Sequence, residues 1–207
     1  MGQRTLGAGV ALDSYEIRNR DLILEGSQYF NEGYKEGIVT IGKTETPSLI
    51  RYNAFQETLE VLGNDQKPQA VLKKKSISAH FDGRTYLLID YMEKVVRKKT
   101  GYFNPLNEGR VKLYFKPLKK LLKADNPDHG YEDFKMPRYV DDSSYYLQKN
   151  DAPAEEILLN QRYLLMHMKD QKKALKAFIA ERNLKVKSET DAIQLINYYN
   201  QLVDSIE

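Results

Sequence analysis

The chain has 207 residues, enough for one large domain or for a domain with a smaller appendage. It contains no cysteine, which excludes disulfides, thiol catalysis and thiolate metal sites. Fifteen Tyr and seven Phe within an apolar content of 41% indicate a packed globule. The net charge of +3 is unevenly spread: residues 71–123 hold fourteen Lys and Arg against four acids, and residues 124–160 hold three against nine.

The sequence offers no apolar stretch near the roughly 18 residues that would span a bilayer, so we expect no transmembrane segment. The first residues, MGQRTL, lack the layout of a signal peptide and of a myristoylation motif. A Met-Gly start is also compatible with a chain from which a signal peptide has been removed.

The strands come first in the predicted order. Short runs of strand-forming residues, separated by Gly, Pro and Asn, predict strands at residues 22–26, 37–41, 48–53 and in the stretch TLEVLGND at 58–65. Each run is followed by turn residues before the next, which favours an antiparallel meander over βαβ units.

One of these strands lies inside GIVTIGKT, residues 37–44, which matches the phosphate-loop pattern G-x-x-x-x-G-K-[ST]. A phosphate loop needs flexible backbone between its glycines and a helix directly after them. Here the four intervening residues are β-branched, and Pro47 disfavours a helix after Lys43. We therefore predict a strand and a turn, and no nucleotide binding.

Residues 76–91, SISAHFDGRTYLLIDY, carry the strongest hairpin signal. Asp82 and Gly83 separate two alternating runs, and this pair tolerates the positive φ angles of a two-residue type I′ turn. We predict that residues 76–81 pair with residues 84–89.

A further strand is predicted in GRVKLYFKP, residues 109–117. Its apolar face would carry Val111, Leu113 and Phe115. Its basic face, expected to meet solvent, would carry Arg110, Lys112 and Lys116. Residues 143–149 are the last predicted strand, and the acidic, proline-containing residues 124–142 before it predict a long surface loop.

The final 55 or so residues change to a helical period. We predict a first helix with Pro153 near its first turn, a second capped by Asp170, and a third capped by Ser188. The apolar face of the third would comprise Ala192, Leu195, Ile196, Tyr199, Leu202, Val203 and Ile206.

The predicted fold class is α+β: an antiparallel β-meander over about residues 15–150, then two or three C-terminal helices. The predicted domains are a β-rich domain, 1–150, and a helical segment, 151–207, packed on or next to it.

Catalytic motifs are missing from the sequence. It contains no G-x-S-x-G, H-E-x-x-H or G-x-G-x-x-G, and its acid pairs are sequence neighbours that point in different directions. His80 and His167 suit packing or surface roles, and Asp125, Asp128 and His129 suit an Asx-rich turn better than a metal site. We assign no catalytic residue, metal or cofactor, although an enzyme with a site assembled from distant residues stays an alternative.

Basic clusters supply a second alternative, a polyanion- or nucleic-acid-binding surface within residues 71–123. The candidate basic residues are Lys73, Lys74, Lys75, Arg97, Lys98, Lys99, Lys119 and Lys120. Lysines on the solvent face of a strand also protect sheet edges from aggregation, which is the favoured interpretation. No nucleic-acid motif accompanies them, so we expect no specific nucleic-acid partner.

The aromatic residues are the candidate partner-binding residues, because tyrosine combines a large rigid contact area with a polar tip. The candidates are Tyr86, Tyr91, Tyr102, Phe103, Tyr114, Tyr145 and Tyr146. The alternative is that these side chains simply line sheet faces, where aromatic residues have good strand propensity.

Three stretches, EGSQYFNEGYKEGIV, IRYNAFQETLEV and FIAERNLKVKSETDAIQLINYYN, together resemble a family of largely uncharacterised cell-envelope proteins of the Bacteroidota. The resemblance covers about residues 20–200. It implies a strand-rich body, a short helical C-terminus and export to the periplasm or outer membrane, and it transfers no catalytic residue. We therefore expect a non-enzymatic accessory module that docks to an envelope protein, peripherally associated with an outer-membrane complex.

Overall fold

The computed structural model describes residues 24–63, 65–94, 97–125 and 135–205. Strands precede helices along the chain, which confirms the α+β class. The strands are β1 (Lys35–Ile41), β2 (Thr44–Asn53), β3 (Thr58–Leu62), β4 (Pro68–Ala70), β5 (Ile77–Phe81), β6 (Arg84–Glu93), β7 (Arg97–Pro105), β8 (Val111–Lys116), β9 (Lys119–Leu122), β10 (Arg138–Asp141), β11 (Ser144–Lys149) and β12 (Ala154–Ile157). The helices are α1 (Gln161–His167), a 3₁₀ turn (Lys169–Gln171), α2 (Lys172–Glu181) and α3 (Glu189–Asp204).

The chain divides into two compact units. The first comprises residues 1–27 and 120–140, and its described residues include bridges between Glu25 and Arg138 and between Asp125 and Lys135. The second comprises residues 28–119 and 141–207. It holds a ten-stranded sheet and the three helices found among the described residues.

The predicted strand-and-turn conformation of GIVTIGKT is confirmed. β1 pairs antiparallel with β2, Ile41 lies opposite Thr44, and Gly42 occupies the turn with φ +62°. No helix follows Lys43 (strand β2 begins at Thr44), so the segment lacks the helix terminus that a phosphate loop requires.

The predicted hairpin is confirmed as well. β5 pairs with β6 in the register that places Phe81 opposite Arg84 and Ser78 opposite Leu87. Asp82 and Gly83 have φ angles of +50° and +70°, as a type I′ turn requires.

The helix predicted from Pro153 is wrong over residues 154–157, which form β12. β12 pairs antiparallel with β11 and parallel with β6. Because β6, β7, β8 and β11 are already joined in order, this pairing closes a five-stranded barrel. Backbone partners on both sides outweigh a weak local helix preference, and the helix starts only after Asn160, whose side chain caps it.

Both faces of β6 and β7 are buried, one by the neighbouring strands and the other by closure of the barrel. One face contributes Tyr86, Leu88 and Tyr102 to a core shared with β1, β2, β3 and β5. The other face contributes Tyr91 and Phe103 to the barrel interior, where they meet Tyr114, Tyr146 and Ala154. A third core lies between the helices and the outer face of β8 and β11, which contribute Val111, Leu113 and Leu147.

The remaining predictions have mixed outcomes. Ser188 caps α3, and the N–H of Asp191 donates to its hydroxyl at 3.1 Å. Asp170 is not an N-cap; its carboxylate accepts a hydrogen bond from Tyr199 instead. On the predicted α3 face, Ala192, Leu195, Ile196 and Tyr199 are buried, Leu202 and Val203 are partly buried, and Ile206 lies outside the described residues.

Two segments differ from their predicted conformation. The described part of residues 22–26 forms a single bridge at Glu25 rather than a strand. Residues 138–141, predicted as loop, form β10, which pairs with β9; residues 126–134 of that predicted loop lie outside the described residues. The available partner strands decide the conformation of both segments. Neither segment has an alternating pattern of apolar and polar residues that would predict it.

The Asp82–Gly83 turn yields a stability prediction. A Cβ added at Gly83 would meet nothing within 4 Å, so Gly83→Val tests the backbone conformation alone. We expect a loss of about 1–2 kcal/mol in the free energy of unfolding, because a β-branched residue resists positive φ. Gly33→Val is the control, since Gly33 has equally open surroundings without a positive φ. Equal urea midpoints for the two variants would contradict the turn assignment.

Candidate binding site at the barrel mouth

The structure corrects the expected exposed aromatic surface. Six of the seven candidates are core residues with at most 6% of their surface exposed: Tyr86, Tyr91, Tyr102, Phe103, Tyr114 and Tyr146. Tyr145 is partly buried, and its hydroxyl donates to Glu189 at 3.2 Å. Strand propensity and burial in the two cores of the sheet account for these rings, so they form no exposed docking surface.

Acidic partners neutralise part of the candidate basic surface. Asp90 lies 2.7 Å from the ammonium of Lys75 and 2.8 Å from that of Lys98. These two lysines and Thr100 hold the pKa of Asp90 well below its usual range. Lys99 pairs with Glu93 at 2.6 Å, while Lys73, Lys74, Arg97 and Lys120 are exposed and Lys119 is partly buried.

Lys116 was expected to face solvent, and this is wrong. Its side chain is 3% exposed, and its ammonium lies 2.7 Å from the Glu57 carboxylate. The same ammonium lies 5.0 Å from the ring centroid of Tyr91 and 5.7 Å from that of Phe103. The alternation along β8 is as predicted, but its second face points into the closed barrel instead of into water.

The turn between β2 and β3 brings Glu57 to Lys116. The Asn53 side chain accepts a hydrogen bond from the N–H of Gln56, and Glu57 has a left-handed backbone with φ +51°. Such a conformation is unfavourable for a non-glycine residue and is typical of positions that the surrounding structure enforces. Gly101 leaves room for the pair, because a Cβ there would lie 2.9 Å from the Glu57 carboxylate.

The ion pair borders a cavity of about 490 Å³ at one end of the barrel, which we call the barrel mouth. Its titratable lining comprises the acids Glu57, Glu93, Asp141, Asp142 and Glu156, the lysines Lys94, Lys99 and Lys116, and the phenols Tyr91 and Tyr146. Ser143, Ser144 and Leu118 complete the lining. Its residues come from six separated parts of the sequence, which only the fold brings together.

Burial and nearby acids raise the pKa of the two tyrosine hydroxyls that line the mouth, those of Tyr91 and Tyr146. Burial, reinforced by the Glu57 carboxylate, raises the pKa of Tyr91 and of the neighbouring core residue Tyr52. Burial and the charge of Glu156 raise the pKa of Tyr146 to about 12. The mouth thus places hydroxyl groups beside acidic side chains.

In the part of the chain that the structure describes, no group of three His, Asp or Glu side chains is placed to bind a metal ion. His80 is exposed and contacts Thr85, His167 is partly buried in α1, and Asp128 and His129 lie outside the described residues.

Comparisons of the chain with protein-family models, curated proteins and solved structures find no match. Among the helices described, none is long and apolar enough to cross a membrane. The arguments for function therefore come from the side chains of the site.

Sequence reasoning missed Glu57, Lys116 and Glu156. Two local signals were present: Tyr114 shares a strand face with Lys116, and Gly101 interrupts a strand, which often marks a close approach. Neither signal identifies the partner, because Glu57 and Lys116 are 59 residues apart.

Removing one member of the buried pair should cost more than removing both. Glu57→Gln leaves the Lys116 ammonium buried without a counter-charge, and we expect a loss on the order of 3 kcal/mol in the free energy of unfolding. Adding Lys116→Met should recover at least about 1 kcal/mol, since it removes that orphaned charge. Urea unfolding of the single and double variants measures this; additive losses would contradict a coupled pair.

The Asp90 cluster predicts a pH dependence. A carboxyl whose pKa is lowered by folding stabilises the folded state above its unfolded pKa of about 4 and loses this contribution as pH falls further. We expect Asp90→Asn to be less stable than wild type at neutral pH, with the difference shrinking below about pH 4. Urea midpoints across this range test it, and a difference that is constant with pH would refute it.

Proposed function

We propose that the protein is a non-enzymatic binding module of a bacterial cell envelope, and that its barrel mouth receives a basic side chain of a protein partner. The observation that carries the proposal is the convergence of carboxylates and phenols around a fixed, buried ion pair.

The charge of the mouth favours a cationic occupant. Five carboxylates face three ammonium groups, a formal net charge of −2. Two of the lysines are already committed: Lys116 pairs with Glu57, and Lys99 pairs with Glu93. An incoming ammonium or guanidinium would find carboxylates and aromatic rings, the groups that recognise such cations.

A side chain suits this cavity better than an engulfed small molecule. Small-molecule pockets are lined predominantly by apolar groups that bury most of the ligand surface. Among the described residues that line the mouth, Leu118 is the only aliphatic one. Charged lining of this kind favours specificity for a charged partner over burial of an apolar ligand.

The enzymatic alternative would use Lys116, the one lysine held in the interior of the barrel. A lysine nucleophile must lose its proton and reach a substrate. Here the ammonium lies 2.7 Å from the Glu57 carboxylate, and the side chain is almost wholly buried, out of reach of a substrate. These contacts suit a positioning role for Lys116, which fixes Glu57 and the rings around it.

The envelope location rests on the resemblance of three sequence stretches to exported Bacteroidota proteins. The polyanion alternative loses support from the pairing of Lys75, Lys98 and Lys99 with acids, because paired ammonium groups contribute less to phosphate binding.

Affinity capture from gently solubilised cell envelopes tests the proposal. The tagged double variant Asp141→Asn/Glu156→Gln removes two carboxylates from the mouth while leaving the Glu57–Lys116 pair intact. We expect it to lose a stoichiometric partner that wild type retains, at least about tenfold, because charged contacts at an interface contribute on this scale.

Glu36→Gln/Glu45→Gln is the matched control, since it removes two exposed carboxylates from β1 and β2 without touching the mouth. A partner lost equally from both variants would show a general charge effect. Wild-type protein that co-purifies with nothing would end the proposal.

A further inference from the structure

A second surface, distinct from the barrel mouth, lies on α1, the 3₁₀ turn and α2. A groove of about 650 Å³ is bordered by Arg162, Lys169, Lys172 and Lys176, with Leu165 and Met166 between them. No carboxylate lines it, and none of these four cations forms an ion pair with a residue that the structure describes. We call this surface the basic groove.

Exposed apolar side chains lie in the wall of the basic groove and in the residues that precede it. Met166 is 58% exposed in the groove wall, and Tyr163, one helical turn earlier, is 39% exposed. Leu158 is 64% exposed and lines a neighbouring cavity together with Tyr163. Three large apolar side chains are therefore exposed within nine residues of sequence. Met166 lies among the four cations, while Leu158 and Tyr163 line the neighbouring cavity with Lys94, Glu155 and Glu156.

Folding does not explain these charges. α2 begins with Lys172 and Lys173 and ends with Glu181, the reverse of the arrangement that a helix dipole favours. Asp170, the only acidic residue between positions 161 and 180, is turned away to accept a hydrogen bond from Tyr199 at 2.9 Å. The positive charge of the groove is therefore unbalanced by nearby acids, which makes it complementary to an anionic partner.

We propose that the basic groove and its apolar rim bind the surface of an anionic phospholipid bilayer. Arg and Lys would contact lipid phosphates, while Met166, Tyr163 and Leu158 enter the boundary between headgroups and acyl chains. Tyrosine is enriched at that boundary because its ring is apolar and its hydroxyl can form hydrogen bonds with water.

A bilayer fits these side chains better than an acidic peptide does. A peptide-binding groove recesses its apolar contacts between walls, so that the anchors of the ligand enter it. Here only Leu165 is recessed, at 5% exposure, while Met166 and Leu158 stand out from the surface. Projecting apolar side chains flanked by lysines are the arrangement of interfacial membrane contacts.

Sedimentation with lipid vesicles tests the proposal. We expect the wild-type protein to bind vesicles of phosphatidylglycerol and phosphatidylcholine, and not vesicles of phosphatidylcholine alone. Lys172→Glu/Lys176→Glu should weaken binding about tenfold or more, since each cation near an anionic surface contributes substantially. Lys172→Glu places an acid in the first turn of α2, where the helix dipole favours it, so the variant should fold.

Two further variants separate the contributions. Met166→Ser should weaken vesicle binding while leaving the circular dichroism spectrum and the urea midpoint unchanged, because its side chain is exposed. Lys73→Glu/Lys74→Glu changes the net charge equally at an exposed site outside the groove and should bind like wild type.

Four results would overturn the proposal. They are no binding to phosphatidylglycerol vesicles, equal loss in the Lys73→Glu/Lys74→Glu variant, full displacement by millimolar inorganic phosphate, and binding of polyglutamate in place of vesicles. A concentration-dependent dimer that is abolished by Met166→Ser would likewise overturn it, since the apolar rim would then contact a second copy.

Discussion

The pairing of β12 with β6 is the constraint on which the rest of the second unit depends. Without it, β6, β7, β8, β11 and β12 would form an open sheet with one solvent-facing side. With it, that side becomes the interior of a barrel, and every residue on it must be apolar, hydrogen-bonded or paired. The same pairing fixes where the helices begin, because β12 ends only a few residues before the cap of α1.

Closure explains why a lysine is buried in this chain. The inward face of β8 carries Tyr114 and Lys116, and the ammonium of Lys116 meets the Glu57 carboxylate and two aromatic rings at the end of the barrel. A buried ion pair is a poor source of stability, because desolvation offsets most of its Coulomb attraction. It does hold the turn that carries Glu57 in a fixed and otherwise unfavourable conformation, which suits a preorganised binding site better than a merely stable core.

Acidic and basic side chains of the second unit lie on different surfaces, for which we propose different partners. Acids gather at the barrel mouth, where Asp141 and Glu156 lie beside the buried pair, and uncompensated cations gather on α1 and α2. The block of lysines that dominates the sequence between residues 71 and 123 contributes less than its count implies. Several of its members form ion pairs with acids, as Lys75 and Lys98 do with Asp90, and one is buried.

The sequence by itself determined those turns, helix caps and strands that depend only on neighbouring residues. Asp82 and Gly83 specify a turn through their tolerance of positive φ, Ser188 caps a helix through its hydroxyl, and β-branched residues exclude a phosphate loop at residues 37–44. The tertiary structure alone decided which side of each strand meets water. Residues 154–157 became a strand because β11 and β6 offered hydrogen bonds. Tyr91, Tyr114 and Tyr146, together with Lys116, became interior because that strand closed the barrel. Alternation along a strand shows that its two faces differ. Whether a face is covered depends on partners that lie tens of residues away, so no local sequence pattern predicts its burial.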